Sequence, residues 1–440
     1  MGRVAPAWPG GSRTTIRALL PTTHDNLVDG INKKFRINPM LFHKRKRQQL
    51  KFFVSIGSGL NQIPLIAEAK KLGFHVIGVD ANVSAPGFYQ CDLKIQESVE
   101  NYDIIYKKLI ELLVDGDIHG VMTKSYGPAI VTTSYLTDKF NIPFIPFSAS
   151  ECFIDKKKMK SRFIEHNILT PYIIHQNSRS KTAGGFPVVV KPNVGHAKTN
   201  VRLAADSAEL KKICAAHYQS EEDYILEKFI EGDEIIVAGI IHDGTYHLVE
   251  ITDKQTSYPP YFIDMVHIAP SQYRHLSKKI EAIGQQVAGA FRISRSPLIM
   301  ELVINADEEA FLIEAVPEFG GEFIPDVLVP ASVNYNLIGE AIRSMTNGGF
   351  RPPQPQKKRN AVVVRYVNGQ KGVLASCNPE GPRDVEGTIF SRIFKEIGSP
   401  INDPVTNHDR IGVVVVSAAT REEALALSET AASNFNIRIK

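Results

Sequence analysis

Between Lys51 and about residue 148, short apolar runs alternate with amphipathic segments, and this alternation narrows the available folds more than any other feature of the chain. Phe52–Ile56 suits a buried parallel strand and leads into Gly57-Ser58-Gly59. A helical period follows (Ile63, Ile66, Ala69, Lys70, Leu72), with Gly73 just past its end. His75–Val79 reads as a second strand ending at Asp80, Ile105–Leu113 as a helix and Ile118–Met122 as a third strand. Strand and helix in alternation require a parallel sheet with crossover helices, so residues 51–148 are expected to form one α/β domain. The Gly57-x-Gly59 turn with Asp80 after the next strand matches part of a dinucleotide-binding fingerprint. Its third glycine should fall at position 62, which is Gln62, so a tight strand-to-helix turn is the better reading.

From about 149 to 350 the pattern is richer in strands: Pro187–Lys191, Tyr224–Phe229, Ile235–His242, Tyr246–Ile251, Leu298–Ile304 and Ala310–Val316. One amphipathic helix is traced by Leu276, Ile280, Ile283, Val287 and Phe291. Residues 351–359 are proline-rich and charged and read as a linker. Residues 360–440 then form a C-terminal domain, with strands at Ala361–Tyr366 and Gly412–Ser417 and a capping box, Thr420-x-x-Glu423, opening a final helix. The expected class is α/β and α+β.

Charge is unevenly spread. Up to Lys51 there are eleven Lys/Arg against two acids, leaving forty bases against forty-five acids for the remainder. The basic head, residues 1–50, is expected to be a disordered extension. Its Arg- and Ser/Thr-containing start faintly suggests a transit peptide and Lys44–Arg47 a nuclear tract, but no function is assigned to it. A net +4 on 440 residues is too weak to imply nucleic acid. No apolar run nears the roughly 20 residues of a membrane helix, so no membrane partner is expected. Four scattered cysteines (Cys91, Cys152, Cys214, Cys377) argue against a disulfide scaffold or zinc cluster and suit the cytoplasm.

Chemistry concentrates in two runs, Leu298–Ile304 and Phe311–Val316, each apolar except for one glutamate. In a hairpin turning around Asp307-Glu308, Glu301 and Glu314 would lie opposite one another on the same face. Opposed carboxylates on an apolar surface repel, and burying them unpaired is costly. A divalent cation between them removes both problems, and Mg²⁺ prefers one or two carboxylates with substrate phosphates completing its shell. The alternative is a solvated face, although like charges directly opposed are disfavoured even there. Lys191 ends an apolar strand and Lys156 opens a helix after Asp155, so both could hold those phosphates.

These features, in this order, resemble the ATP-grasp superfamily, specifically its carboxylate–amine ligases, the L-amino acid ligase and carnosine synthase type. The similarity spans about 51–440. Its carriers include Gly57–Ile66, Gly73–Asp80, Ala85-Pro86-Gly87 and Asp92 in a preceding α/β domain. They continue through Asp155-Lys156-x-x-Met159-Lys160, Phe186–Pro192, Glu227–Ile230 with Gly232-x-Glu234, Ile251–Lys254, Pro260–Phe262, His267-x-x-Pro270, Glu301, Glu314 and Gly320-Gly321. Gly369–Arg383 and Asp409–Gly412 resemble the C-terminal cap.

The resemblance implies an ATP-grasp domain at 149–350 with a mobile lid at about 172–226. It implies ATP held by Lys156, Lys191, His196, Lys198, Glu227, Lys228, Phe229, Ile230 and Glu234, with Mg²⁺ (or Mn²⁺) on Glu301 and Glu314. Lys254, His267, Glu318, Gly320, Gly321 and Glu322 fall on the substrate side. Lys156, Lys191, Glu318 and Glu322 are the implied catalytic set. The implied partners are a small carboxylic acid and an amine, joined through an acyl phosphate, in a homodimer.

Three positions depart from the family pattern. The lid loop, normally rich in glycine and serine, is Asn193–Asn200 with one glycine. Val316 replaces a metal-binding Asn, and Glu318 replaces an Arg. The sign reversal at 318 suits an amine-bearing substrate received by Glu318 and Glu322. It also suits a protein that binds nucleotide without turnover, as in synapsin-like regulators. A purine-biosynthesis carboxylating or formylating enzyme is a further alternative, disfavoured by the missing Arg.

Overall fold

A computed structural model describes residues 50–112, 116–125, 127–174, 185–257, 259–321, 323–356 and 359–440. Glu322, the head before Leu50 and part of the expected lid, 175–184, lie outside the described residues.

The first domain is a four-stranded parallel sheet of order β3-β2-β1-β4, with β1 Leu50–Ile56, β2 His75–Asp80, β3 Leu93–Gln96 and β4 Gly116–Met122. The helices Ile63–Lys71, Tyr102–Leu112 and Pro128–Lys139 cross between or follow its strands. β3 and the third helix carried no clear sequence signal, since Leu93–Gln96 has one buried residue, Ile95. The turn after β1 explains the missing third glycine. Gln62 donates to the Ser125 carbonyl at 2.8 Å and accepts from Lys124 N at 2.7 Å, stitching the loops after β1 and β4. Gly57 is left-handed (φ +95°), and a Cβ there would press on the Gln62 side chain at 3.1 Å. Asp80 is taken up by backbone, accepting from Ser58 N and Asn82 N at 2.9 Å each. It is therefore a loop brace.

A three-stranded sheet of order β6-β5-β7 follows, with β5 Val188–Pro192, β6 Arg202–Ala204 and β7 Tyr224–Lys228. The largest sheet has the order β12-β11-β8-β9-β10-β13-β17-β15. Its strands are β8 Asp233–His242, β9 Thr245–Thr256, β10 Asp264–Ala269, β11 Ser296–Ile304, β12 Ala310–Val316, β13 Ala361–Val367, β15 Thr388–Ile393 and β17 Gly412–Ala418. A small ribbon joins β14 Gly372–Ser376 to β16 Pro400–Ile401 and β18 Arg438–Ile439. Strands on either side of 351–359 thus share one continuous sheet, β10 pairing with β13 from Val266↔Arg365 to Ala269↔Val362.

β8 is apolar on both faces because both are covered. Tyr246 lies in the contact with the helix Ser277–Ala290, where added Cβ atoms at Gly239 and Gly284 would collide with its ring. Glycine within that helix is thus a requirement of close approach. The last helix is Arg421–Ser433; Thr420 caps Glu423 N at 3.2 Å, while the Glu423 carboxylate takes Ala419 N, one residue before the position a reciprocal box would use.

Candidate active site

The hairpin β11–β12 has the register its apolar pattern called for. Ile299↔Val316, Met300↔Ala315 and Glu301↔Glu314 are direct partners, and a bulge shifts the pairing beyond Glu301. The turn is closed by Asn305, whose side chain accepts from Asp307 N and Glu309 N, with Glu308 left-handed at φ 56°. The Glu301 and Glu314 side chains keep 26% and 31% of their exposure, enough to meet a ligand. Two accessible carboxylates of this kind form a donor set that fits a hard divalent cation when phosphate oxygens complete the shell.

Around this pair the structure gathers lysines from distant segments. Asp155 caps the helix Lys156–Glu165 by accepting from Lys158 N at 2.9 Å, which sets Lys156 and Lys160 on one face, four residues apart. Lys156 Nζ donates to the Gly195 carbonyl at 3.0 Å and lies 3.9 Å from Glu314 Oε1. Lys160 is fully buried, 3.2 Å from Glu227 Oε1. Lys191, on β5, contacts the other Glu227 oxygen at 2.7 Å. Burial alone would raise the Glu227 carboxyl, but the Lys160 and Lys191 ammonium groups outweigh it and bring it down to about 2. Burial pushes Lys160 down to about 8 against the pull of Glu227.

A second cluster surrounds Lys254 on β9. Its buried ammonium lies 3.1 Å from Glu234, 2.9 Å from Asp264 and 3.1 Å from Glu301 Oε2. Burial would lower it, but the Asp264, Glu301 and Glu234 carboxylates raise it well above the ordinary lysine value. Lys198 reaches the same Glu301 oxygen at 3.3 Å. Burial would likewise raise Glu301, yet Lys198 and Lys254 bring it down to about 2. From behind, Asn407 donates to Asp264 Oδ2 at 2.6 Å, and Arg410, stacked 3.7 Å over the Tyr366 ring, lies 3.4 Å from it.

The loop 193–200 shows how this chain manages with one glycine. Asn193 accepts from Lys156 N and Lys157 N, anchoring the loop on the helix start. Ala197, Lys198 and Asn200 adopt left-handed φ values of 55–58°. Glycine would hold these conformations without strain, whereas the first two side chains each cost roughly 1–2 kcal/mol.

Of the residues expected at the site, Lys156, Glu314, Lys191, Lys198, Glu227, Glu234, Glu301 and Lys254 fall into these linked clusters. His196 packs 6.1 Å from His408, Phe229 lies 6.5 Å from Phe262, and Lys228 N and Phe229 N bond to the Tyr172 and Pro187 carbonyls. Ile230 is half-buried at the strand end. Lys254 and His267, expected on the substrate side, are both buried, with His267 edge-on to Tyr366. Glu318 is buried too; Gly320 (φ +71°) and Gly321 follow it.

Four contributors were given no site role from the sequence: Lys160 and Arg410, which stand within motifs that carry the resemblance, and Asp264 and Lys124. Of these, Lys160 also carried a local signal, its four-residue spacing from Lys156. Lys124, in the loop after β4, is buried and 3.2 Å from Asp326, just past the glycine pair, so the first domain reaches the same end of the sheet.

Comparison with known proteins agrees with this fold. Residues 184–326 match the family described as ATP-grasp domain, and residues 367–440 match L-amino acid ligase C-terminal domain 2. Among curated relatives, a D-alanine–D-alanine ligase of Halalkalibacterium halodurans is 28% identical over 171 residues, 35% of this chain and 54% of that protein. A D-alanine–D-alanine ligase A of Bacillus cereus is 37% identical over 81 residues, 17% of this chain and 26% of that one. The chain thus spans about half or less of the length of these relatives.

Among solved structures, an L-amino acid ligase from Bacillus licheniformis superposes with a TM-score of 0.73 at 20% identity, covering 89% of this chain and 99% of that one. A phosphoribosylglycinamide synthetase from Anaerococcus prevotii gives 0.70 at 21%, covering 89% and 100%. The fold is therefore ATP-grasp, with residues 184–326 matching the ATP-grasp domain and residues 367–440 a C-terminal segment of the L-amino acid ligase type. No helix among the described residues is long and apolar enough to cross a membrane.

Proposed function

We propose that the chain is an ATP- and Mg²⁺-dependent ligase that joins a small carboxylic acid, of the amino-acid class, to an amine. The observation that carries this reading is the in-register Glu301–Glu314 pair, with Lys156 on Glu314 and Lys191 held nearby by Glu227. Adenine would rest against the backbone of 227–230, with Glu234 toward the ribose. Lys156 and Lys191 would exchange their carboxylate contacts for the phosphates. A divalent cation on Glu301 and Glu314 would neutralise charge on the β- and γ-phosphates.

The substrate carboxylate oxygen attacks the γ-phosphorus, the bond to the β-phosphate oxygen breaks, and ADP leaves. An amine nitrogen then attacks the carbonyl carbon of the acyl phosphate. Phosphate departs with the C–O electron pair, and the nitrogen loses its proton to water. With little covalent work for side chains, catalysis is positioning and charge neutralisation. The loop 193–200 would exclude water from the acyl phosphate. The names of the curated relatives, which ligate D-alanine to D-alanine, support this reaction class. Four free cysteines support a reducing compartment, the cytoplasm. A homodimer belongs to the same proposal, a related 2-oxoglutarate carboxylase domain having been described as a dimer.

The test is phosphate release from ATP and Mg²⁺ with pools of amino acids. Release stimulated by a pool, lost at least 100-fold in Glu314→Gln with an unchanged thermal midpoint, is expected. Nucleotide binding without release under every pool would instead favour the regulatory reading, which the buried Glu318 in place of a cationic side chain recommends.

A further inference from the structure

Three observations bear on how many cations the phosphate site takes. Both ammonium groups nearest Glu301 contact the same oxygen, Oε2: Lys254 at 3.1 Å and Lys198 at 3.3 Å. The two differ in their setting, Lys254 being fully buried and Lys198 partly exposed. Lys254 lies inside the sheet and is braced through Asp264 by Asn407 and Arg410. Lys198 rides on a loop with three left-handed non-glycine residues. On the other strand, the residue two beyond Glu314 is Val316, paired with Ile299, so this edge supplies no third oxygen donor. Among the described residues no group of three or more His, Cys, Asp or Glu is placed to hold a metal.

We propose that Lys254 is a positioning residue and a permanent cation of the phosphate site. It holds Glu301 through Oε2 and leaves Oε1, together with Glu314, to a single divalent ion per bound nucleotide. This rests on the nucleotide reading above and deepens it. One ion on Oε1 already shares the carboxylate with the Lys254 ammonium group; a second would need Oε2, which that group occupies, and would bring a further positive charge against it, and like charges that close repel strongly. Two carboxylates plus phosphate oxygens suffice for one octahedral ion. Lys198 is the exchangeable partner, able to leave with its loop when the ion arrives.

The experiment counts Mn²⁺ bound to the full chain by electron paramagnetic resonance, in the presence of a non-hydrolysable ATP analogue whose own binding is followed by calorimetry. One Mn²⁺ per chain is expected for the wild type. In Lys254→Met, the surplus of Glu234, Asp264 and Glu301 should admit a second ion, taking the count from one to two, while Lys254→Arg should keep it at one. Two ions in the wild type overturn the inference without touching the nucleotide reading, and need no variant to fold. A count of one in folded Lys254→Met removes the role assigned to Lys254. Failure of the analogue to bind at all overturns both readings.

Discussion

Two buried charge clusters lie within the ATP-grasp region, and they are built in opposite senses. Around Glu227, one acid is shared by two bases, Lys160 and Lys191. Around Lys254, one base is shared by three acids, Glu234, Asp264 and Glu301. Neither is a simple ion pair, because a buried pair repays its desolvation poorly unless further groups are satisfied. The first keeps a surplus of positive charge that phosphate can meet. The second sets three acids against Lys254 and is balanced by Lys198 and Arg410, so a metal ion can be met only where Lys198 gives way, at the edge where Glu301 is exposed. On the proposed function, the contrast separates a wall that would accept the polyphosphate from one that would accept its counterion.

The comparison is broken most severely at its single-acid end. Glu227→Ala would leave Lys160 buried with no carboxylate and is expected to destabilise the protein by about 3–5 kcal/mol, measured by urea unfolding. A loss below about 1 kcal/mol would show that the two clusters are not different in kind.

Acid should act next. The Glu227 and Glu301 carboxyls sit at about 2 in the folded chain, below their ordinary value of 4.5. A depressed folded pKa contributes stability that is present above about pH 4.5 and is lost as pH falls toward 2. Between pH 5 and pH 3 the unfolding free energy should therefore drop, on the order of 2 kcal/mol for each of the two carboxyls. A flat profile would contradict both assignments.

The smallest effect sharpens the contrast. Asp264→Asn removes one acid of three, leaving Lys254 with Glu234 and Glu301, and should cost only about 1–2 kcal/mol. A loss as large as that of Glu227→Ala would mean Lys254 depends on Asp264 alone.

The parts of the fold that were legible in the sequence are those set by neighbours along the chain. Alternating runs announced β1, β2 and β4, and the apolar pattern around Glu301 and Glu314 implied their opposition because side chains in a strand alternate with period two. The Asp155 cap placed Lys156 at a helix start. By contrast, β10 and β15 gave no clear signal. β15 is mostly half-exposed, and β10 follows a turn at 257–263 closed by Ser257 onto Ile263. Lys254 was legible as a residue of the site, but as a substrate contact, because nothing local to Ile251–Lys254 states which carboxylates come to it.

The sequence by itself determined the class of fold, the acidic hairpin and the helix start that carries Lys156, since periodicity and capping are local properties that a string of residues displays. Only the tertiary structure decided which lysine meets which glutamate. Those partners are 36 to 67 positions apart along the chain for Lys191–Glu227 and Lys160–Glu227, and 47 and 103 for the two lysines on Glu301. Contacts at that separation exist because strand pairing brings Lys191 beside Glu227 and Lys254 near Glu301 within their sheets, while a packed helix and loop deliver Lys160 and Lys198, leaving each buried charge to find its opposite.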